Sequence, residues 1–279
     1  MKAWFGLSGQ PLLWLVIVTT ALVLFLLVRR FERYMVFHPS VYPAGFWRAD
    51  AFGIAPEDCT FRTSDELTLH GWFIRNDQAI ATFLWCHGNA GNLSDRLDNL
   101  ARLAQLPFNI FIFDYRGYGK SEGTPSEEGL YLDAEAAYHF LLDEKAISPD
   151  KLILFGRSLG GAVAIDLATK HAVAGVIVES TFTTISDMAR HLFPYLPTVV
   201  LKTKFESQSK VSRINAPILI LHGSDDKTVP ALLGRDLFEA ASDPKEFHEI
   251  AGAGHNDTYV VGGDRYFQRL LRFATDHCQ

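Results

Sequence analysis

The chain has 279 residues, 48% of them apolar and 21% charged, with a formal net charge of −6. No long basic run follows the N-terminal region, which excludes a phosphate-backbone footprint and with it a nucleic-acid partner. Three cysteines, Cys59, Cys86 and Cys278, are odd in number and far apart, so they suggest neither a metal motif nor a disulfide framework and fit a reducing compartment.

Residues 1–10 read as a short tail. Residues 11–28, PLLWLVIVTTALVLFLLV, carry no charge. As a helix that run spans roughly 27 Å, near the thickness of a bilayer core. A buried core helix would keep a polar face, and the adjacent Thr19 and Thr20 make none. A cleaved signal peptide is the stronger rival. Its apolar region is ordinarily shorter, and no A-x-A-like site follows here. The expectation is a retained single-pass anchor. Arg29, Arg30 and Arg33 flank it on one side and Lys2 alone on the other, so the positive-inside rule places the following domain in the cytoplasm. Residues 29–55 read as a juxtamembrane linker, and 56–279 suit one α/β domain by length.

Short apolar runs then alternate with helical patterns. Strands are predicted at 59–63, 68–74, 81–86, 110–113, 151–155, 175–178, 218–221 and 246–250. The first two form a hairpin across Ser64-Asp65-Glu66. The later runs are continuously apolar, as for strands buried on both faces. Helices are predicted at 93–104, 126–143, 159–170, 231–241 and 257–275. This alternation predicts an α/β fold, a mostly parallel eight-stranded sheet with helices on both faces. Residues 179–216 form an unusually long connection rich in Phe, Pro, Leu and Tyr. At a C-terminal strand edge it would overhang a ligand site. It reads as a small cap, or as a segment that only packs on a neighbouring helix. Phe182, Met188, Phe193, Tyr195 and Leu196 are its candidate substrate-binding residues.

Two G-x-S-x-G matches occur, at Gly156-Arg157-Ser158-Leu159-Gly160 and Gly119-Lys120-Ser121-Glu122-Gly123. A nucleophile elbow needs a buried strand before the serine and a helix after it. Ser158 follows KLILF and precedes LGGAVAIDLATK, so it is the candidate nucleophile of an α/β-hydrolase fold. Ser121 follows DYRGYGK and precedes Gly123-Thr124-Pro125, which is turn chemistry.

A serine hydroxyl needs a base, and histidine titrates in the right range. His255 follows the last predicted strand through the flexible Ala251-Gly252-Ala253-Gly254, whereas His222 abuts a strand and precedes the acid loop. The orienting acid is expected after the penultimate strand, where Asp225 and Asp226 are adjacent. The chain order nucleophile, acid, base is the α/β-hydrolase order with either aspartate. An oxyanion hole requires two N–H donors. The candidates are the backbone N–H of Leu159 and of Asn89 in His87-Gly88-Asn89. Asp114 and Arg116 read as structural ties.

The segments HGNAGN, FDYRGYGKSEGTPSEEGLY, GRSLGGAVA, ESTFTT, HGSDDKTVP and GAGHNDT, with the juxtamembrane FHPSVYP, resemble alpha/beta hydrolase domain-containing proteins of the membrane-anchored, bud-emergence type. The resemblance runs from residue 30 to 273. It implies that the acid is the fifth residue of HG-x-x-D-x-x-VP's matching stretch, Asp226, with the elbow serine at Ser158 and the GAGH histidine at His255. It implies a serine hydrolase with one N-terminal anchor, and leaves the substrate open among esters, thioesters and peptide-like bonds. The expected activity is cleavage of a carboxylic ester or thioester through an acyl-enzyme, without metal or cofactor. A lipid-like acyl compound or an S-acylated protein is the expected substrate. A peptidase or amidase on the same scaffold is the alternative, and a non-catalytic membrane scaffold a further one.

Overall fold

The computed structural model describes residues 10–195, 198 and 201–278, and the chain divides into two units, Met1–Phe37 and His38–Gln279. Among the described residues of the first unit, one helix, α1 (Gln10–Val36), carries the uncharged run and continues eight residues beyond Val28. Arg29 and Glu32 pair along it at 2.6 Å. Every residue from 12 to 28 is exposed.

In the second unit the chain order is β1 (His38–Pro39), β2 (Glu57–Arg62), β3 (Thr68–Ile74), β4 (Ala81–Cys86), β5 (Ala90–Gly91), α2 (Leu97–Leu103), β6 (Phe108–Phe113), α3 (Glu127–Asp143), β7 (Leu152–Arg157), α4 (Leu159–Ala168), β8 (Gly175–Glu179), α5 (Ile185–Leu192), α6 (Ser207–Val211), β9 (Ile218–Gly223), α7 (Ala231–Ala240), β10 (Lys245–Ile250) and α8 (Thr258–His277). Eight strands form one sheet in the order β10-β9-β8-β7-β4-β6-β3-β2. The β2–β3 and β3–β6 pairs are antiparallel and the others parallel. The fold is the α/β-hydrolase fold expected from the sequence.

Burial follows position in the sheet. All residues of β4, β7, β8 and β9 are buried, because helices cover both faces of these inner strands. The edge strand β2 alternates between exposed and buried residues. Phe83 and Phe108 stack at 4.4 Å, in a core layer that also contains Trp85, Phe155, Leu100, Tyr266 and Phe273.

Helix starts carry their own signals. Ser126 accepts from the Gly129 N–H at the start of α3, with Glu127 and Glu128 in its first turn, which offsets unpaired N–H groups and the positive dipole end. The helix predicted at 93–104 is instead a 3-10 turn, Leu93–Arg96, followed by α2. Asn92 and Asp95 form a reciprocal capping box there, and Leu93 N–H is drawn to Asp114 Oδ1 at 2.7 Å. Those bonds tighten the first turn. The helices α5 and α6, inside the long connection, were not predicted. They are eight and five residues long, too short for a periodic pattern to stand out.

From β4 the chain moves to β6 on one side, then crosses back to β7 on the other. The carboxyl ends of β4 and β7 therefore flank the point where strand order reverses, the place where open parallel sheets bind ligands.

Candidate active site

Ser158 stands between β7 and α4 with φ 52° and ψ −118°. A non-glycine residue pays about 1–3 kcal/mol for such a backbone, so the surroundings must hold it. Its N–H donates to Glu179 O at 2.8 Å, and its carbonyl accepts from Gly161 N–H at 3.0 Å and from the Thr181 hydroxyl at 2.8 Å. The flanking glycines are required by contact. A Cβ on Gly160 would overlap the Cys86 carbonyl, and one on Gly156 would overlap the Gly160 carbonyl. The tight turn thus presents the hydroxyl at the strand end, above the first turn of α4.

Asp226 follows β9 and His255 follows β10. His255 Nδ1 lies 2.7 Å from Asp226 Oδ2, and His255 Nε2 lies 3.1 Å from Ser158 Oγ. The carboxylate can only accept, so Nδ1 carries the proton and Nε2 is left as an acceptor facing the serine hydroxyl. Asp226 Oδ1 accepts from the N–H groups of Thr228 and Val229 at 2.9 and 2.8 Å. Burial works to raise the Asp226 pKa, but His222, His255 and the Val229 N–H together outweigh it and hold the carboxyl well below the usual range. His222 Nε2 stands 3.5 Å from Asp226 Oδ2 but donates to Val229 O at 2.9 Å, so its hold on the carboxylate is secondary. Asp225 is exposed and accepts from the Ser224 hydroxyl. Of the two adjacent aspartates, only Asp226 meets His255.

The loop after β4 lies against the serine. A Cβ built on Gly88 would be 3.5 Å from Ser158 Cβ. The Asn89 side chain is held from three sides: Oδ1 accepts from His38 N–H and from the Tyr118 hydroxyl, each at 3.1 Å, and Nδ2 donates to His38 Nδ1 at 3.0 Å. The parallel pairing of β1 with β5 extends this brace. Leu159, the first residue of α4, is buried. Its N–H belongs to the helix's first turn, where amides have no i−4 carbonyl.

Two residues not singled out from the sequence tie these parts together. Arg157 Nη2 donates to His255 O at 2.5 Å and to Asn256 Oδ1 at 3.3 Å. Arg157 Nε faces Glu179 Oε1 at 3.1 Å. Glu179 is fully buried and accepts from the Tyr266 hydroxyl at 2.5 Å and from the Thr258 hydroxyl. The available signal was a charged residue on each of two adjacent apolar strand ends, GR after LILF and E after GVIV.

Ser121 is buried in a turn. Its hydroxyl donates to Asp114 O at 2.6 Å and accepts from His70 N–H at 3.0 Å, so it is committed to structure. Arg116 joins Asp133 and Asp65 through bonds of 2.8–3.0 Å, a structural tie as expected. In the long connection Phe182 is buried, with its ring 6.5 Å from that of Phe205, and Met188 is half-buried. Phe193 is 47% and Tyr195 99% exposed, so neither lines a closed pocket. Leu196 lies outside the described residues. The far end of the connection packs on helices: Lys204 and Phe205 N–H donate to Glu127 at 2.6 and 2.8 Å, and Lys210 Nζ to Asp166 at 2.6 Å.

Residues 77–208 match the hydrolase family described as serine aminopeptidase, S33. The chain is 34% identical over 248 residues to an uncharacterized protein of Mycobacterium tuberculosis, covering 88% of each. It is 35% identical over 264 residues to Protein bem46 of Schizosaccharomyces pombe, covering 89% of this chain and 87% of that one. It is also 35% identical over 239 residues to the alpha/beta hydrolase domain-containing protein WAV2 of Arabidopsis thaliana, covering 78% of each. Among solved structures, the Pyrococcus furiosus esterase Pf2001 is similar in fold, with a TM-score of 0.72 at 19% identity, covering 87% of this chain and 100% of that one.

Proposed function

The chain belongs to the alpha/beta hydrolase family that includes Protein bem46 and WAV2, and on that premise we propose that it is a membrane-anchored serine esterase or thioesterase acting through Ser158, His255 and Asp226. The observation that carries the reading is the continuous run of bonds from Asp226 through His255 to Ser158 Oγ. His255 Nε2 takes the hydroxyl proton as Ser158 attacks the acyl carbon. The N–H groups of Leu159 and Asn89 receive the negative charge that develops on the carbonyl oxygen. His255, now charged and stabilised by Asp226, returns the proton to the departing alcohol or thiol. Water then enters and attacks the acyl carbon, losing a proton to His255, and His255 returns that proton to Ser158 Oγ as the acyl–Oγ bond breaks and the acid leaves.

The anchor reading rests on α1. Residues 12–28 are all exposed, an apolar surface that water does not tolerate and lipid accepts. Leu12–Val36 is long enough to cross a bilayer. With Arg29, Arg30 and Arg33 on its C-terminal flank, the hydrolase unit belongs on the cytoplasmic side. Placed there, it would meet lipid-like esters and S-acylated proteins. Phe182 and Met188 are then the acyl-contacting candidates, with the exposed Phe193 and Tyr195 as further contributors and Leu196 retained as a candidate from the sequence.

A fluorophosphonate probe tests the nucleophile. Labelling is expected in the wild type and in Ser121→Ala, and lost in Ser158→Ala. Labelling that persists in Ser158→Ala removes the proposal. The match to the serine aminopeptidase model favours amide cleavage as a second reading, which aminoacyl amides hydrolysed in preference to p-nitrophenyl esters would select. Protease protection on intact cells tests orientation, since digestion of the hydrolase unit from outside contradicts the cytoplasmic placement.

A further inference from the structure

We propose that Glu135, His139 and His171 form a zinc-binding site that clips the end of α4 to α3, away from the serine centre. Their donor atoms all lie within 4.8 Å of one another. Glu135 and His139 are four residues apart on α3, the spacing that sets two side chains one above the other on a helix face. His171 comes from the segment just beyond α4, where its N–H donates to Leu167 O at 3.1 Å. Because the third donor arrives from another part of the chain, no compact sequence motif announces the set.

The donor chemistry suits zinc. Two imidazoles and one carboxylate, with a fourth position left to water, are a familiar zinc set. The geometry is also close. With Zn–N near 2.1 Å, each ring centre lies about 3.2 Å from the metal, and two rings at a tetrahedral angle have centres about 5.2 Å apart. The His139 and His171 rings are 5.4 Å apart and perpendicular. Donor atoms on a zinc tetrahedron are separated by about 3.4 Å, and His171 Nε2 stands 3.3 Å from Glu135 Oε1. The exposed His139 ring has the freedom to close the remaining distance.

His171 is pre-set. His171 packs on Tyr138, with ring centres 4.5 Å apart. The Tyr138 hydroxyl donates to Ala172 O at 3.0 Å, which fixes the chain beside His171. His171 Nε2 is shielded from water and makes no well-directed hydrogen bond, its neighbouring carboxylate oxygen, Glu135 Oε1, standing at 3.3 Å, so a better-placed partner would improve its pairing. Glu135 and His139 also border a surface groove of about 630 Å³, which gives an ion and its water a way in.

The test is titration of the full, untagged chain in detergent with Zn²⁺ alone, followed by calorimetry. One equivalent is expected to bind. Affinity should fall at least about tenfold in each of Glu135→Gln, His139→Ala and His171→Ala, by analogy with the loss seen when even the outer supports of metal sites are removed. Because the His139 side chain is exposed, His139→Ala leaves the fold intact and is the decisive variant. Its hydrolysis of p-nitrophenyl acetate should match wild type. Absence of a single Zn²⁺ equivalent in the wild type overturns the site, as does unchanged affinity in His139→Ala.

Discussion

Arg157 Nη2 donates to the backbone carbonyl of His255 at 2.5 Å. The residue beside the elbow serine thus holds the main chain of the base that faces that serine. Glu179 anchors the guanidinium from the neighbouring strand end, and the Tyr266 hydroxyl anchors Glu179 from α8. This pair is almost wholly buried, so each member depends on the other. Removing one partner of a buried pair costs about 3–5 kcal/mol. Glu179→Ala is expected to lower unfolding free energy by that order in urea titration. Arg157→Lys keeps the charge but loses the fork that reaches both His255 and Glu179. It should lower kcat for p-nitrophenyl esters about 10- to 100-fold with little change in KM, and slow fluorophosphonate labelling in step. An unchanged kcat would show that the His255 loop keeps its position without Arg157.

The Asp226 carboxylate fixes the His255 tautomer by accepting from Nδ1. Asp226→Asn replaces one acceptor oxygen with a donor and favours the wrong tautomer. In a triad the loss is about ten-thousandfold in kcat, and the same order is expected here. Ser158→Ala is expected to lose about a millionfold. Steady-state ester hydrolysis measures both. A loss under tenfold in Asp226→Asn would assign the orienting role elsewhere, with His222's neighbours the first place to look.

The central strands were legible because burial on both faces leaves an uninterrupted apolar run, as in β4 and β9. Ser158 was legible because the elbow demands both its glycines and its strand–helix context. Arg157 and Glu179 were not, because their pairing follows from the lateral register of β7 and β8, Arg157 beside Glu179. A chain read in one dimension does not give that register. The brace from His38 to Asn89 is equally non-local, spanning 51 positions. The short α5 was hidden for another reason. Its cap, Thr184 accepting from Asp187 N–H, is a local signal, but eight residues hold little periodicity.

Gly160 packs where a side chain has no room. Its added Cβ would strike the Cys86 and His87 carbonyl oxygens, which are main-chain atoms and cannot swing aside. Gly160→Ala must push α4 away from the β4 end, costing about 1–3 kcal/mol as overpacking does. The shift also moves the Leu159 N–H relative to Ser158. A lower urea midpoint and a kcat reduced by more than tenfold are expected together. Normal kcat with normal stability would mean that α4 can retreat without disturbing the serine.

Asp65 is pulled down from 3.8 to about 2, chiefly by its hydrogen bonds from Arg116. A carboxyl with a depressed folded pKa stabilises the fold while ionised. That contribution is complete above the unfolded value and disappears as protons bind the folded form. Stability should therefore fall as pH drops from 3.8 through about 2. The side chain is 43% exposed, so solvent screens the pair and the effect is modest. Asp65→Asn should make the pH dependence in that window modestly shallower, with the remaining slope carried by other carboxylates of lowered pKa such as Asp226. Urea unfolding across the window measures the slope. An identical slope in the variant would place the acid sensitivity on other carboxylates, Asp226 first, since its pKa is depressed further still.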